Sequence, residues 1–300
     1  MNPHHPGPVT APGVELRRYG ADESTDLHDF HQIVLGFDGA MQMSVDGVGA
    51  CIDFGSAWLV PAGARHDYAG VGENRQLVLD LPAASLAVPS RLFDAPRAVR
   101  IDASFGALVR QIAARAGSAK LVSVDSASAD ERSAACVAAI APSAIGATAL
   151  AAPTATHGGD VRLRRFHWDA SARLCAALLA QTGIEPDDGA RAASGLDFAR
   201  IDRWLRARLA EPLRIADLAA HCGFGLRRFH ALFIDAFGET PHRYLQRLRL
   251  DTAITLLADP RRSLTDVALE VGFGDQSAFT HAFTRRFGIA PGQWRALPTH

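Results

Sequence analysis

Ile215-Ala216-Asp217-Leu218-Ala219-Ala220-His221-Cys222-Gly223-Phe224-Gly225 returns later in the chain as Leu264-Thr265-Asp266-Val267-Ala268-Leu269-Glu270-Val271-Gly272-Phe273-Gly274. Asp, Ala, Gly, Phe and Gly recur at an offset of 49. The offset then steps to 50, so that Phe229, Phe233, Phe237, Gly238, Pro241 and Tyr244 match Phe279, Phe283, Phe287, Gly288, Pro291 and Trp294. The step leaves one extra residue, Asp275, in the second copy. Recurrence of Gly, Pro and aromatic positions at a fixed period marks a supersecondary unit used twice.

Each copy has a mechanical reading. A short helix, Ile215 to His221 or Leu264 to Val271, ends at a Gly suited to a left-handed C-cap. The following Phe plugs the corner, and Ala219 or Ala268 lets two helices approach closely. Asp275 is a good N-cap for the next helix; Gly225 is a weaker one. Phe229 and Phe233, like Phe279 and Phe283, lie four apart and anchor one face of that helix in the core. The other face is free, which is helix-turn-helix geometry. Pro241 to Ala258 reads as one connecting helix, with Pro241 in its first turn. Its length of about 27 Å can hold two recognition helices roughly one DNA turn apart.

The pattern resembles the AraC/XylS family of transcription regulators. The residues that carry the resemblance are Ile215 to Ala219, Gly223-Phe224, Phe233, Gly238, Pro241, Tyr244, Arg249, Ala253 and Leu256-Leu257. In the second copy they are Val267-Ala268, Val271-Gly272-Phe273, Phe279, Phe283, Phe287-Gly288, Pro291 and Trp294-Arg295. They cover about a third of the chain. Gly225 stands where the family usually has Ser or Thr, and Trp294 where it usually has Tyr. The resemblance implies sequence-specific recognition of double-stranded promoter or operator DNA. It places Arg227, His230 and Ala231 on the groove-facing side of the first unit, and Gln276, Ser277, Thr280 and His281 on that of the second. Arg suits guanine and Gln suits adenine. Arg243, Arg261, Arg262, Arg285 and Arg286 are candidates for phosphate contact. A homodimer is implied, and RNA polymerase is a further candidate partner.

Charge agrees with this division. From Leu196 to His300 there are 15 Arg and no Lys against 11 acidic residues, although the whole chain has a net charge of -1. A basic C-terminal part suits a polyanion.

The N-terminal part reads as strands. Gln32 to Leu35 and Gln76 to Leu79 are short apolar runs between turn residues, and Met41 to Val45 alternates before an Asp46-Gly47 hairpin signal. Many short strands predict a sandwich or barrel. Gly55 to His66 fits the second cupin motif, in which a Pro61-Ala62-Gly63 turn aims His66 into a barrel. AraC-type regulators commonly carry such a domain. The predicted fold is therefore a cupin-like β-barrel with added helices followed by an all-α double helix-turn-helix. The boundaries are 14–184 for sensor and dimerisation, 185–195 for the linker and 196–300 for DNA binding. The helical stretches Phe105 to Ala116 and Trp168 to Thr182 are the dimerisation candidates. Residues 117–156 are dominated by Ala and Ser.

His28, His31, Trp58, Arg65, His66 and Tyr68 are the candidate pocket for a small-molecule effector. The first cupin motif lacks its His pair and carboxylate, and His28 and His31 are three apart, on opposite faces of a regular strand. His66 is therefore read as a pocket or turn residue; no metal, cofactor or catalytic residue is assigned. The competing reading is a metal-dependent cupin enzyme fused to a DNA-binding module; a third is a constitutive DNA-binding protein whose barrel only dimerises. The four cysteines are scattered and form no CxxC, which predicts reduced, mostly buried thiols. No apolar run is long enough to span a membrane, and Met1 to Pro12 has no apolar signal core, so a cytoplasmic protein is expected.

Overall fold

The computed structural model describes residues 11–117, 122–124, 157–181 and 196–297. The predicted linker and most of the Ala/Ser-rich stretch, with Cys136, lie outside the described residues. The N-terminal half is one eight-stranded sheet: β1 (Gly13–Tyr19), β2 (Ser24–Asp26), β3 (His31–Val45), β4 (Val48–Ile52), β5 (Ser56–Val60), β6 (His66–Leu81), β7 (Arg97–Arg100) and β8 (Val122–Val124). The strands run β7-β5-β3-β6-β1-β8, with β2 on β6 and β4 on β3, and among the described residues hydrogen bonds do not close the sheet.

Two long strands, β3 and β6, pair along their whole lengths, from His31↔Leu81 to Val45↔His66. Their register slips between Gly36 and Ala40, and bulges of this kind bend a strand. Glycine is required at the bend. A Cβ on Gly36 would lie 1.8 Å from the Asp53 carbonyl oxygen, and Gly39 has φ +65°. The bent sheet has two buried faces, following strand alternation. Val34, Met43, Trp58, Tyr68 and Val78 fill the barrel-like interior. Ile33, Leu35, Leu59, Leu77 and Leu79 face the other way, toward helices.

Those helices are α1 (Ala103–Gly117) and α2 (His157–Gln181). The second starts well before the predicted Trp168. Its apolar positions Trp168, Leu174, Leu178 and Leu179 are buried within the chain. That apolar face is therefore used in packing within the chain.

The C-terminal half is helical: α3 (Phe198–Arg206), α4 (Ile215–His221), α5 (Leu226–Phe237), α6 (Pro241–Leu256), α7 (Leu264–Glu270), α8 (Gln276–Phe287) and α9 (Pro291–Ala296). Helices α4 and α5 form unit one, α7 and α8 unit two, and α6 joins them. Phe229, Phe233, Phe279 and Phe283 are each fully buried, as their spacing predicted. The core of unit one is a separate cluster that takes only Ala87 from the N-terminal half. The core of unit two is continuous with the sheet and α2: the Trp168 and Phe287 rings meet edge to face at 5.0 Å. Of the described cysteines, Cys175 is buried, Cys222 half-buried and Cys51 exposed; Cys51 departs from the predicted burial because it faces outward on edge strand β4. No described helix is long and apolar enough to cross a membrane.

Candidate nucleic-acid interface

The corner of each unit is built by a left-handed glycine. Gly223 has φ +79° and Gly272 φ +83°. Gly272 is doubly constrained, since a Cβ there would lie 2.0 Å from the Leu209 carbonyl oxygen. Phe273 then packs against Phe279 with ring centroids 5.5 Å apart. These contacts fix the start of α8, as the half-buried Phe224 does for α5.

The helix starts differ between units. Ser263 and Asp266 form a capping box on α7, and the Asp275 carboxylate accepts the Ala278 N–H at 2.7 Å. The N-caps of α4 and α5, Arg214 and Gly225, provide no side-chain cap. Arg228 lies over the Phe224 ring, 5.3 Å from its centroid.

Arg227, Ala231, Gln276, Ser277 and His281 are exposed, and His230 and Thr280 half-exposed, with Gln276 at the first position of α8. Thr265 Oγ1 donates to Gln276 Oε1 at 2.7 Å. Of the five predicted phosphate contacts, Arg243 and Arg285 are exposed. Arg261 pairs with Asp259 at 3.1 Å, and Arg262 pairs with Glu270. Surface pairs of this kind contribute at most about 1 kcal/mol, so a phosphate can replace the carboxylate.

Arg286 is the correction. Its side chain is buried, donating to Asp251 Oδ1 at 2.5 Å and to the Ser85 carbonyl at 2.8 Å. It lies on the core side of α8, beneath Trp168, where no phosphate reaches. Burial pushes the Asp251 carboxyl up from the usual carboxylate range, while Arg286 draws it back down.

Arg286 belongs to a strap formed by Ser85 to Arg91, the segment that follows β6. The Ala87 N–H donates to Asp251 at 2.8 Å, and Ala87 O accepts from the Tyr244 hydroxyl at 3.2 Å. Arg247 donates to Leu86 O at 3.2 Å, Ser90 Oγ to Ala236 O at 3.2 Å, and Arg91 pairs with Asp235. The strap thus touches the C-terminal ends of both recognition helices and the connecting α6. No local sequence signal announces it, because the bonds that join it to these helices are long-range.

In the N-terminal half, His66 is buried at the end of β6, with its ring 4.9 Å from His28 and 6.1 Å from Tyr68. Burial lowers the His66 pKa, and His28 adds to the effect. His28 Nδ1 lies 2.7 Å from the Phe30 carbonyl oxygen. His28 Nε2 and the Trp58 indole nitrogen are buried and have no protein hydrogen-bond partner. Two predicted pocket residues are not brought to this place. Arg65 is exposed and faces Asp67 at 4.0 Å; as the neighbour of inward His66 it points outward. His31 stacks on Phe93 at 4.2 Å and accepts the Ala62 N–H at 3.0 Å, on the strap side. Among the described residues, no group of three His, Cys, Asp or Glu could hold a metal.

Residues 218–297 match a family model described as a helix-turn-helix domain. The probable transcriptional regulator LumQ of Photobacterium leiognathi is 24% identical over 96% of this chain and 98% of its own length. The virulence regulon transcriptional activator VirF of Yersinia enterocolitica is 32% identical, but over 32% of this chain and 35% of its own length. The apo crystal structure of a ToxT variant from Vibrio cholerae is 12% identical over 98% of this chain and all of that one, with a TM-score of 0.36.

Proposed function

We propose, on the premise that this chain is a DNA-binding transcription regulator of the AraC/XylS family, that residues 196–300 read an operator and that the N-terminal sheet senses a small molecule. The observation that carries the DNA half is the arrangement of α5 and α8. Each buries its phenylalanines and leaves its N-terminal residues toward solvent. Residues at the start of a recognition helix are the ones that meet base edges in a major groove. Arg227, His230 and Ala231 read bases from unit one; Gln276, Ser277, Thr280 and His281 read them from unit two. Arg243, Arg261, Arg262 and Arg285 grip phosphates.

The sensing half rests on His28, His66, Trp58 and Tyr68. A buried polar atom without a partner costs about 1–3 kcal/mol, and an effector that supplies one recovers that cost. His28 Nε2 and Trp58 Nε1 are such atoms. The protein acts in the cytoplasm as a homodimer, and it binds rather than catalyses.

The test is footprinting of the full-length chain on fragments of its own genome. Two protected patches about one helical turn apart are expected, with affinity falling steeply as salt rises. Binding of equal strength to every fragment would overturn the reading. For the sensing half, His66→Ala is expected to change the response to small molecules without changing DNA affinity in their absence.

A further inference from the structure

The two units hold different residues at one equivalent place. Thr265 is the second residue of α7 and Gln276 the first of α8, and their side chains join across the corner through the 2.7 Å hydrogen bond. In unit one the same two places hold Ala216 and Leu226. That pair forms no hydrogen bond, and Leu226 remains 48% exposed.

We propose that Thr265 is a positioning residue for base recognition: its hydroxyl holds the Gln276 amide in one plane, so that unit two reads a base pair at this register through a preset pair of hydrogen bonds. The inference rests on Gln276 facing the bases. An amide oxygen has two lone pairs and the amide nitrogen two protons, so one bond to Thr265 leaves the adenine-reading pair available. A hydroxyl both donates and accepts, so either orientation of the amide is held in the same plane.

The backbone beneath the pair is fixed as well. The Asp275 cap on Ala278 fixes the start of α8, and the Ser263–Asp266 capping box fixes the start of α7. A free glutamine loses several rotamers when it docks on a base; a glutamine already tethered has lost some of them before DNA arrives. Unit one has neither the caps nor the tether. Its Leu226 offers an apolar surface, which suits a thymine methyl and carries no paired hydrogen bonds.

The experiment selects duplexes from a random pool with the full-length chain, then measures affinities for each base pair at every selected position. Gln276→Ala is expected to erase the preference at one base pair of the unit-two half-site. Thr265→Val, which keeps the shape and removes the hydroxyl, is expected to reduce the same preference roughly two- to tenfold. Affinity for random DNA and the melting temperature stay unchanged, and so do preferences in the unit-one half-site. Thr265→Ser is expected to restore the preference. If Gln276→Ala erases it and Thr265→Val leaves it intact, the positioning role is overturned. A uniform loss of affinity on Thr265→Val, or a loss that Thr265→Ser fails to restore, overturns it too. If Gln276→Ala changes no base preference, the groove-facing assignment of Gln276 fails instead.

Discussion

Unit one and unit two descend from one pattern, yet they stand differently in the molecule. Unit one keeps a core of its own and begins its helices without side-chain caps. Unit two caps both helices but shares its core with the sheet and α2. Local order and global independence are therefore distributed in opposite senses. The well-capped unit depends on the N-terminal half for its packing, and the poorly capped unit depends on it least. Identical motif residues do not give identical energetics, because neighbours outside the motif decide what the buried face touches.

The sharpest way to break this contrast is Trp168→Ala. It removes a fully buried indole that packs on Phe287, and core truncations of this size cost about 3–5 kcal/mol. Hydrogen exchange is expected to quicken in α8 and α9 far more than in α5. Equal loss in both units would mean that they unfold as one body.

Acid is the next lever. Burial lowers the pKa of His31, His66 and His167, all in the N-terminal half. His167 Nδ1 also accepts the Val14 N–H at 2.8 Å, which a protonated Nδ1 could not do. With folded values below the unfolded value of 6.5, the unfolded chain binds more protons in the interval between them. The stabilisation is complete above about 6.5 and is lost as pH falls through the folded values. Melts from about pH 7.5 to pH 5 should show the sheet and unit two losing protection before α5 does.

Smaller changes address the caps. Asp275→Ala is expected to cost about 1 kcal/mol, measured by urea denaturation, because the Ala278 N–H loses its acceptor. Gly225→Asp should do the reverse for unit one. Gly225 has extended backbone at φ −66°, and a Cβ there meets nothing within 4 Å. The gain is a few tenths of a kcal/mol, since glycine is itself a tolerable cap. If that substitution destabilises, the start of α5 is not as open as it stands here.

The double unit was legible in the sequence because its signals are local: a glycine for a left-handed corner, a phenylalanine pair four apart, a proline at a helix start. Arg65 is read from the sequence as a pocket residue, although as the neighbour of inward His66 on the approach to a strand of period two its outward direction was legible. Arg286 was not. It stands three and seven residues after Phe283 and Phe279, on their face of α8, but its charge reads as a phosphate contact, and its bonds to Asp251 and Ser85 show what it meets there instead. The same holds for His31, whose partner Phe93 lies just beyond the strap.

The bond from Arg286 to the Ser85 carbonyl spans 201 residues, whereas the one to Asp251 spans 35. Closing the longer loop costs about 1.5 kcal/mol more chain entropy than closing the shorter one. Contacts of such separation form late when a chain collapses from a fully unfolded state. Synthesis changes the order. The N-terminal half leaves the ribosome first, and chains generally fold in that order. The strap is then made before α8, its partner through Arg286. Refolding from denaturant has to find that long-range contact with both partners still forming, so the route taken in the cell and the route taken in a test tube part at this one arginine.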